Sequence, residues 1–233
     1  MKILALDTAT TACSVAACRD GKTLASAHEL MVRGQSEALI PMVLAVLAQA
    51  RMEVRDFDLI AVTRGPGAFT GLRIGLAAAR GLALASGVPC CGISTTQAIA
   101  EAARRVESDR QPIIVALDSK RSDIYIQAFD PHGIAVCEPQ AIAVTDLRQR
   151  IDGLALTGAA GPVAVVGDAA TRALALLPDG YYRSSAPDVP DARDVASVAA
   201  QLHATGQQLP APIPLYLRPA DAALPKNGGR LRP

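Results

Sequence analysis

Apolar residues recur along the first half of the chain in two spacings, one typical of strands and the other of helices. Short apolar runs at residues 3–18 and 58–63 predict strands, and a polar turn after Asp7 divides the first run in two. Longer apolar segments at residues 36–50 and 70–86 have the length of helices. The pattern predicts an α/β fold.

The two predicted helices have very thin polar surfaces. Between residues 72 and 85 only Arg73 and Arg80 are charged, and apolar side chains cover nearly every face of residues 36–50. One core cannot bury two helices on all sides, so we predict a hydrophobic interface with another subunit, which an isolated chain would satisfy by forming a homodimer. The alternative is that one large domain encloses both helices. The predicted interface residues are Leu39, Met42, Val43 and Val46 on the first helix and Gly71, Ile74, Gly75, Ala78 and Leu82 on the second.

Residues 64–75, RGPGAFTGLRIG, place four glycines between a predicted strand and a predicted helix. A glycine-rich turn at such a junction can hold a phosphate or can allow close packing. A P-loop needs a lysine after its last glycine, and this stretch has none. The dinucleotide fingerprint needs G-x-G-x-x-G, whereas Gly65, Gly67 and Gly71 form G-x-G-x-x-x-G. The sequence therefore favours packing, with a tight turn that aims the helix and small residues that admit another backbone.

A faint internal repeat opens each half of the chain. Residues 3–18, ILALDTATTACSVAAC, and residues 114–129, IVALDSKRSDIYIQAF, share Ile, Ala, Leu and Asp in register before a Thr or Ser. Each copy predicts a strand, a turn after its Asp and a second strand. The polar and charged residues 101–112 suit a connection between the two halves.

Two such units resemble the actin, sugar kinase and Hsp70 superfamily, in which the two Asp turns face each other across a cleft and bind nucleotide phosphates and a metal ion. The resemblance implies a two-lobed actin-like (ribonuclease H-like) fold, each lobe a mixed sheet flanked by helices. The lobes would be residues 1–103, which carry the subunit interface, and 104–233, with a helix near residues 191–205 packing back on the first. The candidates for a vestigial nucleotide-binding site are Asp7, Thr8, Asp118 and Ser119. The alternative is that each Asp only caps its turn.

The composition describes a globular protein with little affinity of its own for nucleic acid. The 233 residues are 50% hydrophobic, enough to bury a substantial core. A net charge of +1 and 3% aromatic residues argue against a self-sufficient nucleic-acid binder, so any contact with RNA is expected to be shared with a partner. The N-terminus does not fit a signal peptide, and no apolar run approaches the roughly 20 residues that cross a bilayer. The five cysteines form no CxxC pair and predict reduced thiols in a cytoplasmic protein.

Catalytic chemistry is hard to find in the sequence. His28 and Glu29 begin an H-E-x-x-H zinc motif, but Val32 stands where the second histidine should be. The G-x-S-x-G pattern does not occur, so no serine carries the sequence cue of a nucleophile elbow. We predict no catalytic residue, no metal and no cofactor.

Three stretches make a family resemblance specific: MKILALDTATTACSVA, RGPGAFTGLRIGLAAARGLA and VPCCGISTTQAIA. The chain resembles the bacterial TsaB (YeaZ) family, the non-catalytic dimerisation subunit of the tRNA threonylcarbamoyladenosine synthase. Its second half matches more loosely, through VALDSKRSDIYIQAF and PLYLR. The resemblance implies a role in threonylcarbamoyl modification of the adenosine next to the anticodon of ANN-decoding tRNAs. It also implies a heterodimer with the catalytic threonylcarbamoyltransferase subunit through a four-helix bundle, an ATPase subunit in the same complex, and indirect contact with tRNA.

The same resemblance accounts for the missing chemistry. The catalytic relative holds a metal with two histidines four residues apart, and the matching positions here are Thr95 and Ile99, which cannot replace them as ligands. Relatives often carry a histidine before the first helix where this chain has Gln35. We therefore predict a scaffold that binds and stabilises the catalytic subunit. The alternatives are an active nucleotide-dependent phosphotransferase that uses Asp7 and Asp118, and a protease whose nucleophile the sequence does not reveal.

Overall fold

The computed structural model describes residues 1–107, 111–154, 156, 161–206 and 208–218. Its first sheet has the strand order β3-β2-β1-β4-β5. Strands β1 to β3 are antiparallel neighbours, while β4 is parallel to β1 and β5 is parallel to β4. These strands are β1 (Lys2–Asp7), β2 (Ala12–Arg19), β3 (Lys22–Leu30), β4 (Leu59–Thr63) and β5 (Cys90–Ile93); the helices of this half are α1 (Gln35–Ala50), α2 (Phe69–Ser86) and α3 (Thr95–Val106).

The second sheet repeats the topology of the first. Its order is β10-β9-β6-β7-β8, with β6, β7 and β8 antiparallel and β9 and β10 added in parallel on the other side. The strands are β6 (Ile113–Asp118), β7 (Asp123–Phe129), β8 (Gln140–Ala143), β9 (Val163–Val166) and β10 (Tyr181–Arg183); the helices are α4 (Leu147–Asp152), α5 (Ala170–Leu174) and α6 (Ala192–Ala204). Each copy of the repeat forms the first two strands of its sheet. The predicted two-lobed actin-like fold is therefore confirmed.

The continuous apolar run of β1 follows from its place in the middle of the sheet. Leu4 and Leu6 pack into a core beneath α1 and α2, whereas Ile3 and Ala5 face a second core beneath α6. A strand buried on both faces has no position that favours a polar side chain until it ends. The same logic applies to β6, which separates two further cores in the second lobe.

Helices α3 and α6 lie between the two sheets. Ala192, Val195 and Ala199 of α6 pack against the first sheet, while Ile99 and Ala103 of α3 pack against the second. Small side chains dominate the inner faces of both helices, which lets them approach each other and the sheets closely. The helix predicted near residues 191–205 thus starts at Ala192 and contacts the first sheet.

The structure changes one element expected from the sequence. The polar stretch 101–112 is not simply a connection, because α3 continues through Val106 with Ala102 and Ala103 buried on its inner face. A boundary between residues 103 and 104 falls inside this helix, and the division into two lobes at that point stays a prediction. The helices predicted at residues 36–50 and 70–86 are present, each one residue longer at its start. Within the described ranges, no helix is both long enough and apolar enough to cross a membrane.

Candidate functional site

The glycine-rich turn packs against the turn between β1 and β2 of the same chain. A Cβ atom on Gly67 would lie within 3.0 Å of the Ala9 carbonyl oxygen, and one on Gly71 would lie equally close to the Thr8 carbonyl oxygen. The Thr8 hydroxyl donates a hydrogen bond to the Gly71 carbonyl oxygen at 2.7 Å, and the Ala68 N–H donates to the Ala9 carbonyl oxygen at 2.8 Å. Only glycine lets the two backbones meet at this distance.

These contacts correct part of the predicted subunit interface. The glycines do serve packing, but the backbone that approaches Gly71 belongs to this chain and not to a partner. Gly75 behaves in the same way, because a Cβ atom there would come within 3.0 Å of the Thr8 hydroxyl oxygen. Gly71 and Gly75 are therefore internal contacts that join α2 to the first sheet.

Asp7 ends β1 and is fully buried. Its Oδ1 accepts hydrogen bonds from the Ala9 N–H at 3.1 Å and from the Thr63 hydroxyl at 2.7 Å. Its Oδ2 is buried without a donor among the described residues. Burial raises the pKa of this carboxyl to about 7, although the bonds from Thr63 and Ala9 act to lower it. The side chain caps its turn, and its carboxylate does not reach the surface of a cleft.

Asp118 ends β6 at the equivalent place in the second lobe but is partly exposed. Its Oδ1 accepts from the Lys120 N–H at 2.8 Å, and the Lys120 ammonium lies 3.2 Å from Oδ2. The same ammonium lies 3.4 Å from Asp168 Oδ2, and Asp168 Oδ1 accepts from the Asp118 N–H at 2.7 Å. The Ser119 hydroxyl is engaged within its own turn, because it donates to the Asp123 carbonyl oxygen and to Asp123 Oδ1, each at 2.7 Å. The lysine thus supplies the positive charge beside Asp118 that a bound cation would supply in a nucleotide site.

A cavity of about 480 Å³ lies between the two lobes. The Asp118 turn, Asp168, Thr10 and the first residues of α1 and α2 line it. Of the four predicted nucleotide-site residues, Asp118 and Ser119 contribute to this lining, whereas Asp7 and Thr8 do not. Sequence reasoning missed Lys120 and Asp168. Lys120 could have been noticed as the lysine that directly follows the second copy of the Asp-Ser/Thr pair.

The two positions that the family resemblance matches to metal-binding histidines are part of the core. Thr95 is fully buried and its N–H donates to the Gly65 carbonyl oxygen at 2.9 Å. Ile99 is also fully buried and packs among the strands of the second sheet. Ser94 caps this helix, with its hydroxyl accepting from the Gln97 N–H at 3.1 Å. The local sequence builds a helix start, and over the described residues no cluster of three or more His, Cys, Asp or Glu could hold a metal.

All five cysteines are free. Burial raises the pKa of the Cys13 and Cys90 thiols to about 11 and that of Cys91 to about 12. These thiols stay protonated at neutral pH and are poor nucleophiles.

The structure also sorts the remaining predicted interface residues by exposure. Leu39, Val43 and Val46 are each 1% exposed and fill the core beneath α1. Their burial corrects them from interface residues to core residues. The sequence could not show this, because apolar side chains on every face of α1 do not reveal which face is buried. The other four are half-buried and pack against the edge of this core, and their role in an interface stays a prediction: Met42, Ile74, Ala78 and Leu82.

A different set of apolar side chains lies on the outer face of these helices. On α1, Ile40 is 44% exposed and Leu44 is 62% exposed, and on α2 Leu84 is 87% exposed. Small residues, including Ala77 and Gly81, are exposed on the same side of α2. We call this surface the outer helix face. It is an exposed apolar patch on two neighbouring helices.

Comparisons with known proteins agree with the repeated fold. The family model of tRNA N6-adenosine threonylcarbamoyltransferase, TsaD, matches residues 29–165. The chain is 34% identical to the tRNA threonylcarbamoyladenosine biosynthesis protein TsaB of Escherichia coli, over 94% of this chain and 95% of that protein. It is 32% identical to an uncharacterised protein of Mycobacterium tuberculosis, over 94% of this chain and 93% of that one.

Two solved structures from Pseudomonas aeruginosa have the same fold over nearly the whole chain. One is described as an uncharacterised protein with similarity to peptidase YEAZ, with a TM-score of 0.81 at 30% identity, and it covers 93% of this chain and 99% of its own. The other is described as YeaZ, with a TM-score of 0.79 at 29% identity and the same coverage.

Proposed function

Because the chain belongs to the TsaB family, we propose that it is the non-catalytic partner subunit of the complex that makes threonylcarbamoyladenosine in tRNA. It binds and stabilises the catalytic threonylcarbamoyltransferase subunit, and so serves modification of the adenosine next to the anticodon of ANN-decoding tRNAs. An ATPase subunit belongs to the same complex, and tRNA is reached through the partners. A tRNA-modifying role places the protein in the cytoplasm.

The outer helix face is the observation that carries this proposal. Leu44 and Leu84 expose most of their side chains to solvent on two neighbouring helices. Exposed leucines on adjacent helices are a poor arrangement for a monomer but a good one for a helix-to-helix interface. The proposed interface therefore moves outward from the buried residues to Ile40, Leu44 and Leu84.

The two Asp turns support a non-catalytic role. Asp7 is enclosed and bonded to its own turn, and Asp118 faces the ammonium group of Lys120. A phosphotransferase of this fold needs carboxylates that can hold a metal ion beside the nucleotide phosphates. Neither carboxylate is free to do so in this arrangement.

Replacing Leu44 or Leu84 with aspartate is expected to weaken association with the catalytic subunit about tenfold or more, because a charge would have to be buried in an apolar contact. Both side chains are exposed, so the free energy of unfolding should change by only about 0.5 kcal/mol. Co-purification, titration calorimetry and tRNA modification in a reconstituted complex measure the effect.

Ile134→Asp is the matched control, because Ile134 is 64% exposed on the second lobe and Leu44 is 62% exposed on the first. The control should associate normally. Unchanged association of both leucine variants would remove the outer helix face as the interface. Turnover of ATP with magnesium by the isolated protein, lost in Asp118→Asn, would instead support the phosphotransferase.

A further inference from the structure

Two arginines border the apolar part of α2. Arg73 and Arg80 are both exposed and are seven residues apart, which is two helical turns or about 10 Å along the axis. Leu84 is one turn beyond Arg80, and Ala77 lies between the two arginines on the exposed side. Any partner that covers Leu84 and Ala77 must therefore also approach both guanidinium groups.

Neither arginine has a carboxylate within ion-pair distance in the part of the chain that the structure describes. Arg73 is nevertheless held in place: its Nε donates to the Tyr216 hydroxyl at 3.1 Å, and its guanidinium carbon lies 3.6 Å from the centre of the Phe69 ring. The Phe69 and Tyr216 rings are themselves stacked, with centroids 5.5 Å apart. This support presents Arg73 in a fixed orientation, which lowers the entropy cost of binding a carboxylate.

The two helices offer almost no negative charge of their own. Across α1 and α2, Glu37 is the single acidic residue, against Arg73 and Arg80. The α1 and α2 helices of a second copy would supply one carboxylate for every two guanidinium groups, and Glu53, in the turn after α1, is already paired with Arg55. Unpaired charge at a protein contact is unfavourable. Contact between two copies would therefore leave some of the arginine charges without a carboxylate partner.

We propose that Arg73 and Arg80 select the partner, favouring a helix with carboxylates about two turns apart over a second copy of this chain. This inference rests on the outer helix face being the interface, as proposed above. A nucleic acid would also offer anionic groups, but it would not bury Leu84 and Ala77 on the same face. Charges at the edge of an apolar contact commonly set partner choice and association rate in this way.

Charge reversal at position 80 tests the inference, since Arg80 makes no hydrogen bond or ion pair with the described residues. Arg80→Glu is expected to weaken binding to the catalytic subunit about tenfold, with Arg80→Gln intermediate. Wild-type affinity should fall as NaCl rises from about 50 mM to about 500 mM, and Arg80→Gln should show a shallower fall. Sedimentation velocity of the isolated variants should show homodimerisation that is unchanged or stronger. Arg19→Glu, an exposed change at the end of β2, is the matched control and should bind normally.

The outcomes separate this inference from the proposed function. Loss of binding in Leu84→Asp with normal binding in Arg80→Glu would overturn the selection by charge and leave the interface standing. Normal binding in both variants would overturn both. Equal weakening of the homodimer and the heterodimer by Arg80→Glu would show that the arginines do not discriminate between partners. If Arg80→Glu lost affinity only for a tRNA probe, and bound the catalytic subunit normally, the arginines would instead be assigned to nucleic-acid binding.

Discussion

Replacing Gly71 with alanine is expected to cost more than about 4 kcal/mol, a large part of the roughly 5–15 kcal/mol that separates folded from unfolded domains. The added methyl group would lie within 3.0 Å of the Thr8 carbonyl oxygen, which belongs to the backbone. That oxygen cannot move aside without displacing the turn after β1, and the same turn carries the buried Asp7. Urea denaturation followed by circular dichroism measures the free energy of unfolding of the wild type and the variant. If the variant is unfolded even without urea, the wild-type free energy of unfolding is a lower bound on the loss.

Gly81→Ala is the matched control in the same helix. A Cβ atom on Gly81 meets nothing within 4 Å, and the residue is exposed. Alanine has the higher helix propensity, so this change should stabilise the protein by up to about 1 kcal/mol. Opposite signs for two identical substitutions ten residues apart would locate the effect in the contact with Thr8. A mild effect of Gly71→Ala, comparable to that of Gly81→Ala, would contradict the packing account of the glycine-rich motif.

The glycine-rich motif shows what the sequence could and could not predict. Failed matches to phosphate-binding patterns correctly indicated packing, and spacing indicated the strand and the helix on either side. What the glycines pack against could not be read from a local pattern, because Thr8 and Ala9 are about sixty residues away in the chain. Close approach of two backbones depends on sheet order, which places β1 beside β4 and so brings the two turns together.

The interface prediction failed at particular residues for a related reason. Helical periodicity identifies a buried face only when polar residues mark the opposite one. Leu39 and Leu44 are both leucines on α1, yet the first is 1% exposed and the second 62%. With no polar residue to separate them, only the position of the sheet beneath the helix distinguishes core from surface. The sequence therefore could predict an apolar interface on these helices, but it could not predict which residues would form that interface.

The stability of the protein is expected to fall as pH rises from about 4 to about 7, because of Asp7. Its pKa is 3.8 in the unfolded reference and about 7 in the folded protein. Within this window the folded state keeps the proton and the unfolded state releases it, so deprotonation favours unfolding. The stabilisation is complete below pH 3.8 and is lost as pH passes the folded pKa of about 7. A shift of this size corresponds to a loss on the order of 4 kcal/mol.

Asp7→Asn isolates this contribution. An asparagine stays neutral, and its Oδ1 can still accept hydrogen bonds from the Ala9 N–H and the Thr63 hydroxyl, as Asp7 does. Relative to the wild type, the variant should therefore gain stability as pH rises from about 5 to about 8, with most of the gain below the folded pKa of about 7. Urea denaturation at the two pH values measures the difference.

Asp20→Asn is the control, because Asp20 is exposed and its bond with the N-terminal ammonium holds its pKa below 3.8. Asp20 does not titrate between about pH 5 and about pH 8, so the Asp20→Asn variant should show the same change in free energy of unfolding between these pH values as the wild type. If the free energy of unfolding changed equally with pH in the wild type and in Asp7→Asn, Asp7 would ionise normally in the folded protein. That result would also mean that the hydrogen bonds from the Thr63 hydroxyl and the Ala9 N–H, which lower the pKa of Asp7, outweigh the effect of burial, which raises it.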